Sequence, residues 1–338
     1  MKIRIGLNGF GNLARVIFRQ LMEQPDRFEV LGVNDLADPK ALAVLLKYDS
    51  VYGRYKGKIE YDDEHLIVDG RKILITSVRN PAKLPWGDLG VSVGIENNLY
   101  CRDRQMDGKP GYDGHLSAGA KRVLLTMTAR YHDRTVIAGL NDSEIIPEDC
   151  CISCGSGAAG AIAPIVKVLN DRFGVRCGQV TSIDSYSSDQ QILDSPHHEL
   201  HRARAAAINI IPTYNFAVEE VGSILPELRG KLLGLSLRVP TPVGRCVDLV
   251  INTEMPITAE SVNAAMKEAS ETELRGVLGY SEDPIVLSDI VGDPHAAIIA
   301  ANWTCVVGNH MLKLVAWYDN QWSYSSRVVQ LVEKLGEM

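Results

Sequence analysis

The sequence has no long uninterrupted hydrophobic run, although 46% of its 338 residues are hydrophobic. A helix that crosses a bilayer needs about 20 consecutive apolar residues, so a membrane-spanning protein is not expected. An excess of basic residues is also missing, since 35 Lys and Arg stand against 42 Asp and Glu and give a net charge of -7. This sign argues against nucleic acid or an anionic membrane as the main partner.

Cysteines are too few and too irregular for a disulfide framework: there are seven, an odd count. Cys150, Cys151 and Cys154 cluster, but no second ligand pair accompanies them, so no metal is expected. Buried, uncharged thiols on a strand are the simpler interpretation. A secretory leader is not seen either, because residues 1–11 pass directly from a predicted strand into a glycine turn. A cytoplasmic location is therefore predicted.

The first 35 residues follow the order of a dinucleotide-binding unit. The pattern predicts strands over residues 2–7 and 28–33, on either side of a helix over residues 15–22. Gly9 and Gly11 open a G-x-G-x-x-A turn, in which the backbone can approach a pyrophosphate. Asp35 follows the second strand, where a carboxylate accepts the ribose hydroxyls and repels a 2′-phosphate. This order predicts binding of NAD, and an ordinary βαβ turn is the alternative.

A length of 338 residues predicts two domains. The first half continues with short predicted strands over 58–61, 66–68, 73–78, 91–95, 123–126 and 135–139, with a polar, Gly-rich insertion over 103–114. The second half has longer predicted strands over 178–186, 232–239, 246–253 and 310–318, with helices over 259–269 and 324–335. A long polar segment over 187–212 interrupts it, and segments of this length are usually functional or form interfaces.

The segment from Cys150 to Pro164 is the focus of the chain. A short apolar run leads into small residues and then into a helical pattern, which predicts a strand, a tight turn and a helix. The start of such a helix is suited to an anion or an activated nucleophile. The first helical turn nevertheless holds neither Ser nor Cys, because its residues are Gly157, Ala158, Ala159 and Gly160.

Several specific segments occur in a recognisable order. They are GLNGFGNLAR from Gly6, KYDSVYGRYKG from Lys47, NPAKLPWGDLG from Asn80, AAAINIIP from Ala205, LPELRGKLLGLSLRVPTPVG from Leu225, VLGYSEDPIVLSD from Val277 and KLVAWYDNQWSYSSRVV from Lys313. With them the chain resembles the glyceraldehyde-3-phosphate dehydrogenase family from end to end.

The resemblance implies an α/β fold with two domains. An N-terminal Rossmann NAD-binding domain would cover residues 1–152 together with a C-terminal helix over 320–338. An α+β catalytic-type domain with a mixed or antiparallel sheet would cover residues 153–319. The resemblance also implies a homotetramer, in which the segment 187–212 is an interface loop lining a neighbour's cofactor site.

The chain departs from the family pattern at the active site. The family has Ser-Asn-Ala-Ser-Cys-Thr-Thr-Asn-Cys-Leu-Ala-Pro, whereas this chain reads SCGSGAAGAIAP from Ser153. Gly157 therefore stands at the position of the nucleophilic Cys, and Ala158 at that of the phosphate-contacting Thr. Asp184 stands at the position of the general-base His. The family's small phosphate-loop residues are replaced by a loop that contains Tyr214, Asn215 and Phe216.

These departures predict that ordinary activity is lost. The family reaction needs a thiolate that attacks an aldehyde and holds the acyl group as a thioester, and Gly157 has no side chain. A carboxylate at Asp184 is expected to repel a phosphate-bearing substrate. Two alternatives stay open: Cys154 as a displaced nucleophile, against a buried structural thiol, and Asp184 as a general base for other chemistry, against a polar space-filling group.

Other family positions are retained and define the predicted sites. The cofactor-binding residues are Gly9, Phe10, Gly11, Asn12, Leu13, Asp35, Arg79, Asn320 and Tyr324, with NAD as the cofactor. An anion or substrate pocket is predicted at Ser156, Ser187, Asp189, Asn215 and Arg238. His115, His132 and His310 are interpreted as ordinary polar or core residues.

The leading hypothesis is a catalytically silent relative of the family that binds NAD and an unidentified small anion. It would assemble with itself as a homotetramer, or join an active paralogue, and act by binding or regulation. The alternative is an NAD-dependent oxidoreductase with non-covalent hydride transfer on a different small polar substrate, in which Asp184 or Asp189 works with Arg238.

Overall fold

A computed structural model describes residues 2–106 and 108–338 of the chain. Met1, where the first predicted domain begins, and Asp107, inside the predicted insertion, lie outside the described residues. The chain forms two compact units, Met1–Gly155 with Ser325–Met338, and Ser156–Tyr324. Within the described part of the chain, no helix combines the length and the apolar character that a bilayer crossing requires.

The first unit is built on a mostly parallel sheet. Its strands are β1 (Ile3–Asn8), β2 (Phe28–Asn34), the short pair β3 (Tyr48–Asp49) and β4 (Gly53–Arg54), β5 (Ile59–Tyr61), β6 (His65–Val68), β7 (Arg71–Thr76), β8 (Val93–Glu96), β9 (Arg122–Leu125), β10 (Arg134–Thr135) and β11 (Cys151–Ser153). The main sheet has the order β10-β11-β9-β8-β1-β2-β7-β6-β5, while β3 and β4 pair only with each other. Pairing is parallel from β10 to β7 and antiparallel between β7, β6 and β5.

Helices cross over between these strands. They are α1 (Asn12–Met22), α2 (Pro39–Lys47), α3 (Trp86–Leu89) and α4 (Gly114–Ser117). Gly6 and Gly32 make room for the Trp86 ring, because a Cβ at either position would lie about 3 Å from it. The sequence pattern did not predict α2, whose start is fixed by Pro39 and by the Asp38 carboxylate accepting from the Ala41 N–H at 2.7 Å.

The second unit is a mixed sheet with helices. Its strands are β12 (Val175–Ser185), β13 (Ile211–Tyr214), β14 (Leu232–Val239), β15 (Arg245–Thr253), β16 (Leu278–Ser281), β17 (Ala297–Ala300), β18 (Cys305–Val307) and β19 (Met311–Tyr318). Its helices are α5 (Gly157–Phe173), α6 (Ala217–Ile224) and α7 (Ala259–Glu271), and the chain ends in α8 (Trp322–Glu337). The sheet has the order β13-β14-β12-β15-β19-β17-β16, with β18 paired to β19.

The predicted fold class is confirmed, with local differences. The predicted strand over 135–139 is wrong beyond Thr135, because the chain turns there. Gly139 has φ +79°, and the Asn141 side chain accepts from the Ile137 N–H at 2.9 Å. The predicted loop over 187–212 contains a 3₁₀ turn at Leu200–Ala203 and ends in the first residues of β13.

Candidate functional site

The turn between β1 and α1 has the shape that a pyrophosphate needs. Gly9 has φ +86°, and a Cβ there would lie 3.4 Å from the Cβ of Asn97. A Cβ on Gly11 would meet nothing within 4 Å, so open space faces this part of the backbone. The start of α1 has neither a side-chain cap nor an acidic residue in its first turn. A helix N-terminus beside open space fits a bound phosphate, so these residues fit NAD.

Asp35 and Arg15 hold this turn in place. The Asp35 carboxylate accepts from the Phe10 N–H at 2.8 Å and from the Ala37 N–H at 3.0 Å. The Arg15 guanidinium donates to the Phe10 carbonyl at 2.8 Å, and burial lowers the pKa of Arg15. Asp35 is only partly buried and follows β2, which is the predicted position for a ribose ligand.

The remaining cofactor residues of this unit lie close by or on its surface. Asn12 begins α1, and its side chain accepts from the Leu13 N–H at 2.9 Å. Arg79 is exposed on the segment that follows β7. The roles of these residues toward a cofactor stay predictions.

A chain of buried polar side chains runs beneath the turn, and sequence reasoning missed it. The Asn34 side-chain nitrogen donates to the Asn8 side-chain oxygen at 2.7 Å, and the Asn8 side-chain nitrogen donates to the Glu96 carboxylate at 2.7 Å. His115 lies 3.0 Å from the same carboxylate, and the Trp86 indole donates to His115 at 2.8 Å. Asn8, Asn34 and Glu96 each end one of three neighbouring parallel strands, β1, β2 and β8. Each of these three buried strands ends in a polar residue, and this repeated pattern is the sequence signal that could have revealed the network.

In the second unit, Gly157 is the first residue of α5. A Cβ on it would lie 3.6 Å from the Tyr324 ring and 3.7 Å from the Asn320 carbonyl, which are ordinary contact distances. Space therefore does not require glycine here. Ser156 caps the helix, because its hydroxyl accepts from the Ala159 N–H at 3.2 Å. Its own N–H donates to the Glu220 carboxylate at 3.0 Å, so an acidic side chain already lies at this helix start.

Asp184 lies in a row of charged side chains across the sheet. Arg238 of β14, Asp184 of β12, Arg245 of β15 and Tyr318 of β19 occupy adjacent register positions. The Asp184 carboxylate lies 3.4 Å from the Arg245 guanidinium and 3.9 Å from that of Arg238, and it accepts a hydrogen bond from the Ser236 hydroxyl. Only 4% of the Asp184 side chain is exposed.

The charges of this row act on one another. Burial and the neighbouring Arg245 lower the pKa of Arg238. Burial also tends to lower the pKa of Arg245, but the Asp184 carboxylate, Tyr318 and Asp189 together outweigh it and raise that pKa. Two guanidinium groups face the Asp184 carboxylate, so its charge is compensated within the row. The expected repulsion of a phosphate by Asp184 is therefore offset by its two arginines, of which the sequence had associated only Arg238 with it.

The predicted anion pocket is only partly assembled by the structure. Arg238 donates to the Ser185 carbonyl at 3.2 Å and approaches the Ser187 hydroxyl at 3.5 Å. Ser187 in turn donates to Asp189, which pairs with Arg202. Although burial opposes the effect, the Ser187 hydroxyl and Arg202 lower the pKa of Asp189. Ser187, Asp189 and Arg238 thus form one connected group.

Asn215 is engaged inside the protein. Its amide nitrogen donates to the Ser182 hydroxyl at 2.9 Å, and its oxygen accepts from the Ala217 N–H at 3.1 Å, where α6 begins. The flanking rings of Tyr214 and Phe216 are 53% and 67% exposed and lie 4.4 Å apart. The two rings point outward as a pair. After its two contacts, the Asn215 amide has one hydrogen left to donate.

Asn320 and Tyr324 belong to the second unit and lie beside Gly157. The Asn320 side-chain oxygen accepts from the Gly244 N–H at 2.8 Å and from the Ser185 hydroxyl at 3.4 Å. These contacts connect Asn320 to the strand positions next to Asp184 and Arg245. The predicted contact of Asn320 with the cofactor stays a prediction.

The cysteine cluster has no metal-binding arrangement in the described residues, where no three His, Cys, Asp or Glu side chains are placed to share an ion. Burial raises the pKa of Cys151 to about 12. Cys154 follows directly after β11 and is 4% exposed. This burial, away from a helix start, favours a structural thiol over a displaced nucleophile.

Comparison with known proteins places both units in one family. Residues 3–102 match the family model described as glyceraldehyde 3-phosphate dehydrogenase, NAD binding domain, and residues 153–320 match the model of the C-terminal domain. The chain is similar to the glyceraldehyde-3-phosphate dehydrogenase of Thermotoga maritima, with 47% identity over 99% of both chains. It is 45% identical to that of Borreliella burgdorferi, over 98% of this chain and 99% of the relative. The chain is 44% identical to glyceraldehyde-3-phosphate dehydrogenase 1 of Bacillus subtilis, over 98% of this chain and 97% of the relative.

Proposed function

Because the chain belongs to the glyceraldehyde-3-phosphate dehydrogenase family, we propose that it is an NAD-binding member that lacks phosphorylating dehydrogenase activity and acts by binding or regulation. The single observation that carries this proposal is Gly157 at the first position of α5. A glycine offers no atom that can attack an aldehyde, and the family chemistry depends on such an attack.

The surroundings of Asp184 support the same proposal. A general base must be within reach of the proton it removes and free to accept it. The Asp184 carboxylate is 4% exposed and shared between two guanidinium groups and a hydroxyl. This arrangement suits a structural counter-ion and gives little support to the alternative of a hydride-transferring oxidoreductase with Asp184 as its base.

Intact-protein mass spectrometry tests the missing covalent step. Incubation with glyceraldehyde 3-phosphate and NAD, without phosphate, is expected to add no acyl mass to this chain. An active relative treated in parallel should gain the mass of one acyl group, because its thioester accumulates when phosphate is withheld. A stoichiometric acyl adduct on any residue of this chain would contradict the proposal.

A homotetramer is the proposed assembly, with an active paralogue as the alternative partner. The face of the second unit's sheet that exposes Leu233, Leu235, Val250 and Met311 carries large apolar side chains, which are 37–63% exposed. Cys177, Leu233, Val250 and Met311 line a groove of about 520 Å³ on this face. An apolar patch of this kind favours association of identical subunits. A cytoplasmic location remains a prediction.

Leu235→Glu is expected to lower the molar mass of the assembly, because a buried charge in a self-interface is costly. Size-exclusion chromatography with light scattering measures that mass. Ile146→Glu is the matched control: Ile146 in the NAD-binding unit is 45% exposed, as is Leu235, and its variant should keep the wild-type mass. A monomeric wild-type protein would exclude the homotetramer, and an unchanged Leu235→Glu assembly would exclude this face as the interface.

A further inference from the structure

The hydrogen bonds beneath the dinucleotide turn have a defined direction. At one end, the Asn34 side-chain oxygen accepts from the Val78 N–H at 2.8 Å, while its nitrogen donates to the Val78 carbonyl at 2.8 Å. A backbone N–H can only donate and a carbonyl can only accept, so the orientation of the Asn34 amide is fixed. Its nitrogen must then donate to the Asn8 oxygen, which leaves the Asn8 nitrogen to donate to Glu96.

The other end of this chain is fixed by Trp86. An indole N–H can only donate, so the Nδ1 atom of His115 that receives it at 2.8 Å carries no proton. His115 is therefore a neutral imidazole with its proton on Nε2, and this N–H donates to Glu96 at 3.0 Å. A third donor, the Asn98 N–H, reaches the other carboxylate oxygen at 2.7 Å.

Glu96 consequently accepts three hydrogen bonds and has no acceptor for a proton of its own. It is an ionised carboxylate, and its side chain has 0% exposure. In the part of the chain that the structure describes, no Lys or Arg lies within ion-pair distance of it. All three donors are neutral, so one negative charge stays uncompensated inside the NAD-binding unit. A buried charge of this kind is costly without a cationic partner.

The position of Glu96 indicates what that partner is. Glu96 ends β8, and β8 and β2 flank β1 on opposite sides. A dinucleotide bound at such a point spans the ends of these strands, with its pyrophosphate at the glycine turn. Asp35, after β2, marks the adenosine side, so the nicotinamide half belongs to the β8 side. Asn97, the neighbour of Glu96, lies 3.4 Å from the Cβ position of Gly9.

We infer that the Glu96 carboxylate makes this protein selective for the oxidised cofactor, because the nicotinamide ring of NAD⁺ is a cation and that of NADH is neutral. The inference rests on the NAD binding of the proposed function and adds that the protein binds the oxidised cofactor, NAD⁺, in preference to NADH. A unit charge at the end of β8, acting through a partly polar and screened medium, is expected to change the ratio of the two affinities roughly three- to tenfold.

Calorimetric titration of wild type and Glu96→Gln with NAD⁺, NADH and ADP-ribose tests the inference. The variant is expected to lose three- to tenfold in affinity for NAD⁺ relative to NADH. ADP-ribose has no nicotinamide ring, so its affinity reports general damage to the site. A merely structural role would weaken all three ligands alike, and an unchanged NAD⁺/NADH ratio in the folded variant overturns the inference. Glu96→Asp keeps the charge and should keep the wild-type ratio.

The variant Asn97→Asp provides an independent test of the same charge effect if Glu96→Gln does not fold. Its carboxylate would keep the hydrogen bond from the Thr126 hydroxyl that Asn97 accepts at 2.6 Å, and it adds a second negative charge at the same strand end. Preference for NAD⁺ over NADH should rise by about threefold, and no change would overturn the inference. Failure of wild type to bind ADP-ribose or NAD⁺ would instead overturn NAD binding itself, separately from the role of Glu96.

Discussion

Purified protein mixed with glyceraldehyde 3-phosphate, NAD and phosphate is expected to form NADH about a millionfold more slowly than an active relative. Removing the nucleophile of a well-studied hydrolase costs on the order of 10⁶ in turnover, and Gly157 offers no attacking atom. The absorbance of NADH measures the rate. The Thermotoga maritima relative, 47% identical over 99% of the chain, is a suitable reference. Turnover within tenfold of that reference would exclude the proposed loss of activity.

The variant Gly157→Cys distinguishes the effect of the missing nucleophile on turnover from the effect of the missing base. The variant should fold, because a Cβ at Gly157 meets its nearest atoms at 3.6 Å or more. The N-terminus of α5 favours the thiolate, whereas the Glu220 carboxylate that accepts from the Ser156 N–H opposes it, so the new Cys should react with iodoacetamide at about the rate of an ordinary exposed thiol. Turnover should still stay about 10² to 10⁴ below the reference, since no base accepts the proton.

Arg245→Leu is expected to reduce the free energy of unfolding by about 3 kcal/mol, because it breaks a buried ion pair and leaves the Asp184 carboxylate with a single, more distant guanidinium. The Asp184 carboxylate would lose its nearer guanidinium, at 3.4 Å, and keep only Arg238, at 3.9 Å. Urea unfolding at one fixed protein concentration measures the change, since an oligomer's stability depends on concentration.

The double variant Asp184→Asn with Arg245→Leu is the matched control for this ion pair. Removing both charges should recover at least half of the lost stability, because the cost lies in the weakened pairing of the carboxylate and not in the missing arginine side chain. Arg238 keeps its contacts with the Ser185 carbonyl and the Ser187 hydroxyl in the double variant. If Arg245→Leu is as stable as wild type, or the double variant is no more stable than Arg245→Leu, Asp184 and Arg245 do not depend on each other.

The sequence alone determined the fold class and the cofactor class. Alternating and helical patterns located β1, α1 and β2, and the glycine turn with Asp35 at its predicted place indicated a dinucleotide, because these features depend only on neighbours along the chain. The same local pattern put a strand, a turn and a helix around Gly157. A short element such as α2, with nine residues and a continuous apolar run over 41–46, gave no such periodic signal.

Only the tertiary structure decided the electrostatics of both sites. Asp184, Arg238 and Arg245 are separated along the chain and meet only through the register of β12, β14 and β15. Glu96 and His115 likewise meet across the first unit. The sequence showed a carboxylate where a base was expected, but its charge balance depends on side chains that neighbouring strands bring within 4 Å. Charge interactions act through space and fall off with distance, and those distances are set by strand pairing.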